Sequence, residues 1–453
     1  MTSQPITESS TASTEGVSRG VGEDGVSSRR NLRINTVALV ASNLATGVLG
    51  LAFWALAARL VPPREVGIAA AVITSAVMVS TLSIVGIDTL YERFLPVSGN
   101  RAKSLLNQGF FLVAVLAGLA GVAVVVFAPG EHLFQSGWAM AGYPLVVMVL
   151  AVFTLQDKAC AGLGVARWAA VKNLGHAAVK LVALFLLGLA HLAGSIVLAW
   201  TVTAAVLASG TLIGLHRRAG SHSRFRLTPR LPPPRQVWSY FGSSSGIAAL
   251  WTIGPLVVPF ILIAKVGPEA NAYFAVAWAM ISALYLMMHL VMSPYVAETA
   301  AHPDHVLALS YRMVGTQCLV AVLASSGLLV FGPLMLGLAG EQYRTHGQSL
   351  LHLAAAFLPL AAVVSIYEGF ARTTRKMRLV LAVQALSTTV IVVGSLLFAP
   401  TLGVQGVGWS YLIAESLSAA ILIGPVIVWL RRVARAEAVQ MSCDEGVMEE
   451  RVV

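Results

Sequence analysis

Two ionisable residues stand in the middle of long apolar runs, Lys180 and Glu415. A charge in hydrocarbon is costly, so such residues mark either a site or a buried partnership. An ammonium facing a water-filled cavity suits an anionic head group such as a diphosphate, which makes Lys180 a candidate substrate ligand. A carboxylate suits a proton or a sodium ion, which makes Glu415 a candidate ion-coupling residue. The plainer alternative is that the two are paired or hydrogen-bonded inside a helix bundle, and the sequence leaves both readings open. Arg59 and Lys265 end two apolar runs at corresponding places. They are further candidates for attracting an anionic substrate, or cations that snorkel to the interface.

Weaker candidates are the charges at the opposite ends of the runs. Asp88 and Arg93 lie beside Glu92, and Asp157 lies beside Lys158 and ahead of Arg167. With Glu368 and Arg372 they are candidate gating ion pairs, or else solvated loop charges. His289 and His352 read as bundle residues before proton relays. Enzymatic patterns are poor. Gly242-Ser243-Ser244-Ser245-Gly246 matches GxSxG, but it opens an apolar run, whereas a nucleophile elbow joins a strand to a helix. No phosphate loop and no HExxH pair occurs. Outside loops are too short for the catalytic loop of a membrane glycosyltransferase. We therefore expect no enzyme activity, no metal and no cofactor.

The elements that must carry these residues are membrane spans. Hydrophobic residues make up 57% of the chain and charged residues 11%, where a soluble domain carries about 25% charged residues. Apolar runs of about 20 residues recur, enough to cross a hydrocarbon core of about 30 Å. They fall near 34–58, 66–90, 105–128, 141–158, 173–190, 195–215, 238–264, 272–294, 311–332, 349–370, 379–398 and 406–429. The expected fold is all-α, a polytopic membrane protein of about twelve helices. The net charge of +10 is spread over alternate loops, which argues against a nucleic-acid partner. With the N-terminus inside, the cytoplasmic segments hold 25 Lys and Arg and the outside loops hold 4. That bias predicts both termini in the cytoplasm of a multi-pass cell-membrane protein. Pro255 and Pro259 predict a bend in the seventh span.

Residues 1–33 read as a disordered cytoplasmic tail and 431–453 as a second tail. Between them, 34–215 and 238–430 form two six-span lobes joined by the basic, proline-rich linker 216–237. The lobes read as copies. Gly164-Val165-Ala166-Arg167 answers Gly369-Phe370-Ala371-Arg372, and Ala58-Arg59 ahead of Glu65 answers Ala264-Lys265 ahead of Glu269. Copies with an even number of spans share one orientation and are related by an axis along the membrane normal.

Leu56-Ala57-Ala58-Arg59-Leu60-Val61-Pro62-Pro63-Arg64-Glu65-Val66-Gly67 resembles the join between the first two spans of the polysaccharide transporter, or O-antigen flippase-like, family. That family belongs to the multidrug/oligosaccharidyl-lipid/polysaccharide flippase superfamily. Glu92-Arg93-Phe94-Leu95-Pro96 and Gly369-Phe370-Ala371-Arg372 add to the resemblance, which spans residues 30–430. It implies two six-helix lobes forming a V around a central cavity. It also implies export of a polyprenyl-diphosphate-linked oligosaccharide for polysaccharide, lipopolysaccharide or cell-envelope biosynthesis, driven by a proton or sodium gradient beside envelope-biosynthesis enzymes. A drug/cation antiporter of the same superfamily and a non-transport scaffold of an envelope-assembly complex are the alternatives.

Overall fold

The computed structural model describes residues 45–127, 134, 136–222, 256–301, 305–374 and 377–450, and regular structure among them is helical throughout. The N-terminal tail, residues 34–44 of the first span, linker residues 223–237, the Gly242–Gly246 pattern and Pro255 lie outside the described residues.

In chain order the helices are α1 (Ala45–Leu60), α2 (Pro63–Ser83), α3 (Ile87–Phe94), α4 (Ala102–Phe127), α5 (Gly137–Gly162), α6 (Ala166–Leu189) and α7 (Ser195–His222). After the linker come α8 (Leu256–Lys265), α9 (Pro268–Ala301), α10 (Val306–Ala339), α11 (Glu341–Thr374), α12 (Arg378–Leu402) and α13 (Val404–Glu450). Ten are long and apolar enough to cross a membrane. The shorter apolar helices α1 and α8 begin where description begins and bring the set to twelve. Helices are the expected solution, because a span must satisfy its own backbone donors and acceptors in lipid. Large apolar side chains such as Phe111, Leu119 and Phe331 face outward, as a lipid-facing surface requires.

Several boundaries differ from the sequence reading. The second span ends at Ser83, not near residue 90, because Val85 and Gly86 take positive φ angles of 45° and 77° that no helix can hold. The chain then restarts as the short helix α3. Helix α6 begins at Ala166, so Lys172 is not a loop residue but a buried one on the membrane helix. His216-Arg217-Arg218 continues α7, so the connector starts later than residue 216. Helix α13 runs on to Glu450 without a break at 431.

The two halves repeat in detail. Tyr91 donates its hydroxyl hydrogen to the Leu106 carbonyl at 2.6 Å. Tyr295, 204 residues on, is hydrogen-bonded to Ser310, also 204 on, at 3.0 Å. Both α2 and α9 start with a proline in the first turn and an acid, Glu65 or Glu269, beside the positive helix end.

The helix ends near residues 60–67 and 265–272 hold the halves together. There a single apolar core takes Phe53, Val66 and Ile73 from the first half and Leu262, Phe274 and Ile281 from the second. Toward the opposite end the core divides. Residues such as Ile87, Leu106 and Leu155 belong to a core built mainly by the first half, with Ile263 added from the second, and Tyr295, Met313 and Phe370 pack within the second. The architecture is therefore two helical lobes sharing one seam.

Candidate functional site

Where the lobes meet, α1 and α2 face α8 and α9 across a chamber of about 410 Å³. Its walls include Trp54 and Thr74 from the first lobe and Phe274, Trp278 and Ser282 from the second. An apolar groove of about 270 Å³ between α1, α9 and α10 shares Gly47, Leu51 and Leu286 with this chamber. The remaining groove wall is apolar, including Met280, Leu323 and Phe331. Leu323 and Phe331 are 61% and 59% exposed, so the groove opens on the face that meets lipid.

The first lobe carries a basic ladder on α6. Lys172, His176 and Lys180 follow one another every four residues on one helix face, and all three are buried. Lys172 is paired with Asp157 at 2.8 Å and donates to the Phe153 carbonyl. Asn173 also donates to Asp157, at 3.0 Å. The His176 ring contacts the Trp200 carbonyl through Nε2 at 3.1 Å. Lys180 differs. Its ammonium lies 3.4 Å from the centre of the Trp200 ring and 5.0 Å from that of Phe53. Among the described residues no carboxylate comes within ion-pair distance of it. The aromatic faces supply a weak cation–π attraction in place of a counter-ion. Trp200 packs against Trp54, with ring centres 6.2 Å apart, so Lys180 lies one aromatic layer behind the chamber wall.

The second lobe carries acids instead. A cavity of about 250 Å³ between α9, α11, α12 and α13 is lined by Glu415, Glu368, Tyr285 and Tyr411 with serine, threonine and glutamine side chains. Tyr285 donates its hydroxyl hydrogen to Glu415 Oε1 at 2.9 Å. Glu368 is bound through Oε1 by Arg372, at 3.1 Å from Nε and 2.5 Å from Nη2. Its other oxygen lies 4.0 Å from His289 Nε2, and neither that oxygen nor the Tyr411 hydroxyl has a hydrogen-bond partner among the described residues. Two carboxylates, one of them beside an imidazole, together with tyrosine hydroxyls suit a small cation or a shared proton. Trp278 and Ser282 line both this cavity and the inter-lobe chamber.

Other sequence candidates fall elsewhere. Arg59 is exposed but engaged: its Nε donates to the Leu338 carbonyl and its Nη2 to that of Gly337 at 3.3 Å, both in the other lobe. Lys265 is exposed at the end of α8. Asp88 is half-buried on α3. Arg93 lies over the neighbouring Phe94 ring, 5.7 Å from its centre. Glu92 pairs with Lys158 at 2.7 Å. Asp157 pairs with Lys172 and Glu368 with Arg372, each pair within one lobe. Lys180 and Glu415 occupy different lobes, Lys180 against Trp200 and Glu415 in the wall of the acidic cavity. The sequence reading misses Lys172 and His176, although their four-residue spacing with Lys180 is visible. It also misses Trp278 and Tyr285, which carry no signal apart from the fold.

No family model matches this chain, and no curated protein matches it by sequence. Solved structures do. The MATE multidrug transporter DinF-BH superposes with a TM-score of 0.62 at 14% identity, over 88% of this chain and 95% of its own. The inward-facing conformation of a multidrug resistance MATE family transporter of the MOP superfamily gives 0.60 at 15% identity, over 89% and 99%. The lipid II flippase MurJ in its inward closed conformation gives 0.60 at 10% identity, over 89% and 91%. The chain thus has the fold of these two-lobed membrane transporters.

Proposed function

We propose that this protein is a flippase that moves a polyprenyl-diphosphate-linked oligosaccharide to the outer leaflet of the cell membrane. The observation that carries the reading is that the inter-lobe chamber borders an apolar, lipid-facing groove, with Gly47, Leu51 and Leu286 lining both. A lipid-linked substrate keeps its tail in hydrocarbon while its polar head crosses. It therefore needs a chamber that opens sideways through an apolar wall. A water-soluble substrate has no use for such an opening.

The charges divide the remaining work. Lys180, buried behind the chamber wall with no carboxylate within ion-pair distance among the described residues, suits the diphosphate once the Trp54–Trp200 layer moves aside, since a phosphate group would supply the missing negative charge. The acidic cavity around Glu415 and Glu368 suits the coupling proton or sodium ion. The basic-loop bias favours a seam on the outer side and both termini in the cytoplasm. In that orientation the core around Ile87 and Leu106 and the core around Tyr295 and Met313 lie toward the cytoplasm. The fold shared with MATE transporters and with a lipid II flippase supports transport by alternating access.

A second reading, a drug/cation antiporter, is favoured by the same acidic cavity, where Trp278, Tyr285 and Tyr411 add aromatic faces for an organic cation. Lipid extraction from cells with and without the gene separates the two. Accumulation of a completed lipid-linked glycan in the deletion strain supports the flippase. An unchanged lipid pool together with new sensitivity to cationic dyes supports the antiporter and rejects the flippase.

A further inference from the structure

We propose that Arg59 is a releasable latch that holds the two lobes shut at the seam, and that its release accompanies opening of the chamber on that side. The inference rests on the alternating-access reading above but not on the identity of the substrate. Arg59 stands in the last turn of α1 and reaches the end of α10 in the opposite lobe. The last carbonyls of a helix have no donor within it and carry the negative end of the helix dipole. At the end of α10 the Gly340 amide takes up the Leu336 carbonyl at 3.1 Å. The next two carbonyls, Gly337 and Leu338, are the ones that Arg59 meets. One guanidinium thus caps a helix that belongs to the other half of the molecule, in a planar two-donor geometry that lysine cannot reproduce.

Its exposure makes the contact suitable for switching. Water can replace either partner when the lobes separate, so the latch biases the closed state without locking it. The neighbouring seam contact has the opposite character. Asn271 is fully buried and donates to the Gly67 carbonyl at 2.7 Å, so it can break only when the seam itself opens. The corresponding cation of the second lobe, Lys265, has no hydrogen bond or ion pair among the described residues, so the latch is built on one side alone. Arg59 is therefore a conformational residue.

The test uses the full chain in proteoliposomes, with Cys160, Cys318 and Cys443 replaced and Thr74→Cys placed in the chamber wall. A membrane-impermeant maleimide is added from the seam side, with no substrate and no ion gradient. Arg59→Ala and Arg59→Gln are expected to raise the labelling rate about tenfold, because a charge-assisted hydrogen-bonded contact is lost from the closed state only. Arg59→Lys should fall between these and the parent, and Lys265→Ala should match the parent. Unchanged labelling in Arg59→Gln, in protein that elutes as the parent does on size exclusion, overturns the latch. So does a fall in transport without a change in labelling, which would return Arg59 to substrate attraction. Increased labelling in a protein that moves no lipid-linked glycan leaves the latch standing and rejects the flippase reading instead.

Discussion

Asn271 donates through Nδ2 to the carbonyl oxygen of Gly67 at 2.7 Å, and the two residues are 204 positions apart, the same offset that relates Tyr91 to Tyr295 and Leu106 to Ser310. Positions related by the repeat therefore touch each other. Only residues beside the axis that relates the lobes can do so, and Gly67 and Asn271 mark where that axis passes through the seam. Gly67 is required there by close approach. A Cβ at this position would stand 1.7 Å from the Pro268 carbonyl oxygen.

Gly67→Ala should force the seam apart. We expect at least about a tenfold loss of transport and a lower unfolding temperature, since backbone cannot yield as a flexible side chain does. Gly50→Ala is the matched control, because it lines the chamber with nothing within 4 Å of its Cβ. Thermal unfolding and transport measured on both variants decide the matter. Equal effects would remove the special status of Gly67.

Lys180→Met and Lys172→Met should change stability in opposite directions. Lys180 has no counter-ion among the described residues, so replacing it with an apolar side chain of similar length should stabilise this conformation by about 1–2 kcal/mol while abolishing transport. Lys172→Met strands the Asp157 carboxylate and should destabilise by about 1–2 kcal/mol, a figure reduced because Asp157 keeps some solvent contact and its bond from Asn173. Denaturation of the purified variants in detergent reads both signs.

Glu415→Gln keeps an acceptor for the Tyr285 hydroxyl but cannot carry a charge. Transport driven by an imposed proton or sodium gradient should fall to the level seen without a gradient, while substrate binding persists. Tyr285→Phe should weaken gradient dependence without erasing it. A Glu415→Gln protein with full gradient-driven transport would exclude Glu415 as the coupling residue.

Gly327→Trp tests the groove. The Cβ position of Gly327 is open, so the indole can enter the apolar groove without disturbing a neighbour. Membrane abundance should match the parent, and transport of a long-chain lipid-linked glycan should fall about tenfold or more. A short-chain analogue should be affected less. Equal inhibition of both would separate the groove from the lipid tail.

Much of the architecture is legible in the residues, and the reason lies in how membranes act on sequence. Each residue buried in hydrocarbon contributes its own transfer free energy, so spans appear as runs that can be summed along the chain. The break after Ser83 escapes such a sum because its cause is local and geometric. Gly86 is the visible sign, but the strongly apolar run around it masks the turn. Lys172 reads as a loop residue because charge alone suggests an end, whereas its pairing with Asp157 makes burial tolerable.

Residue order alone establishes the membrane class, the helical fold with its repeated lobes, and the ionisable residues to be tested. Tertiary packing places Lys180 and Glu415 in different lobes, brings Arg59 to a helix end across the seam, and stands Trp278 between the chamber and the acidic cavity. Hydropathy and helical spacing are properties of neighbours along the chain. The relations that join Arg59 to Leu338 or Tyr285 to Glu415 span more than a hundred residues, and they exist only once packing has fixed which helix faces meet.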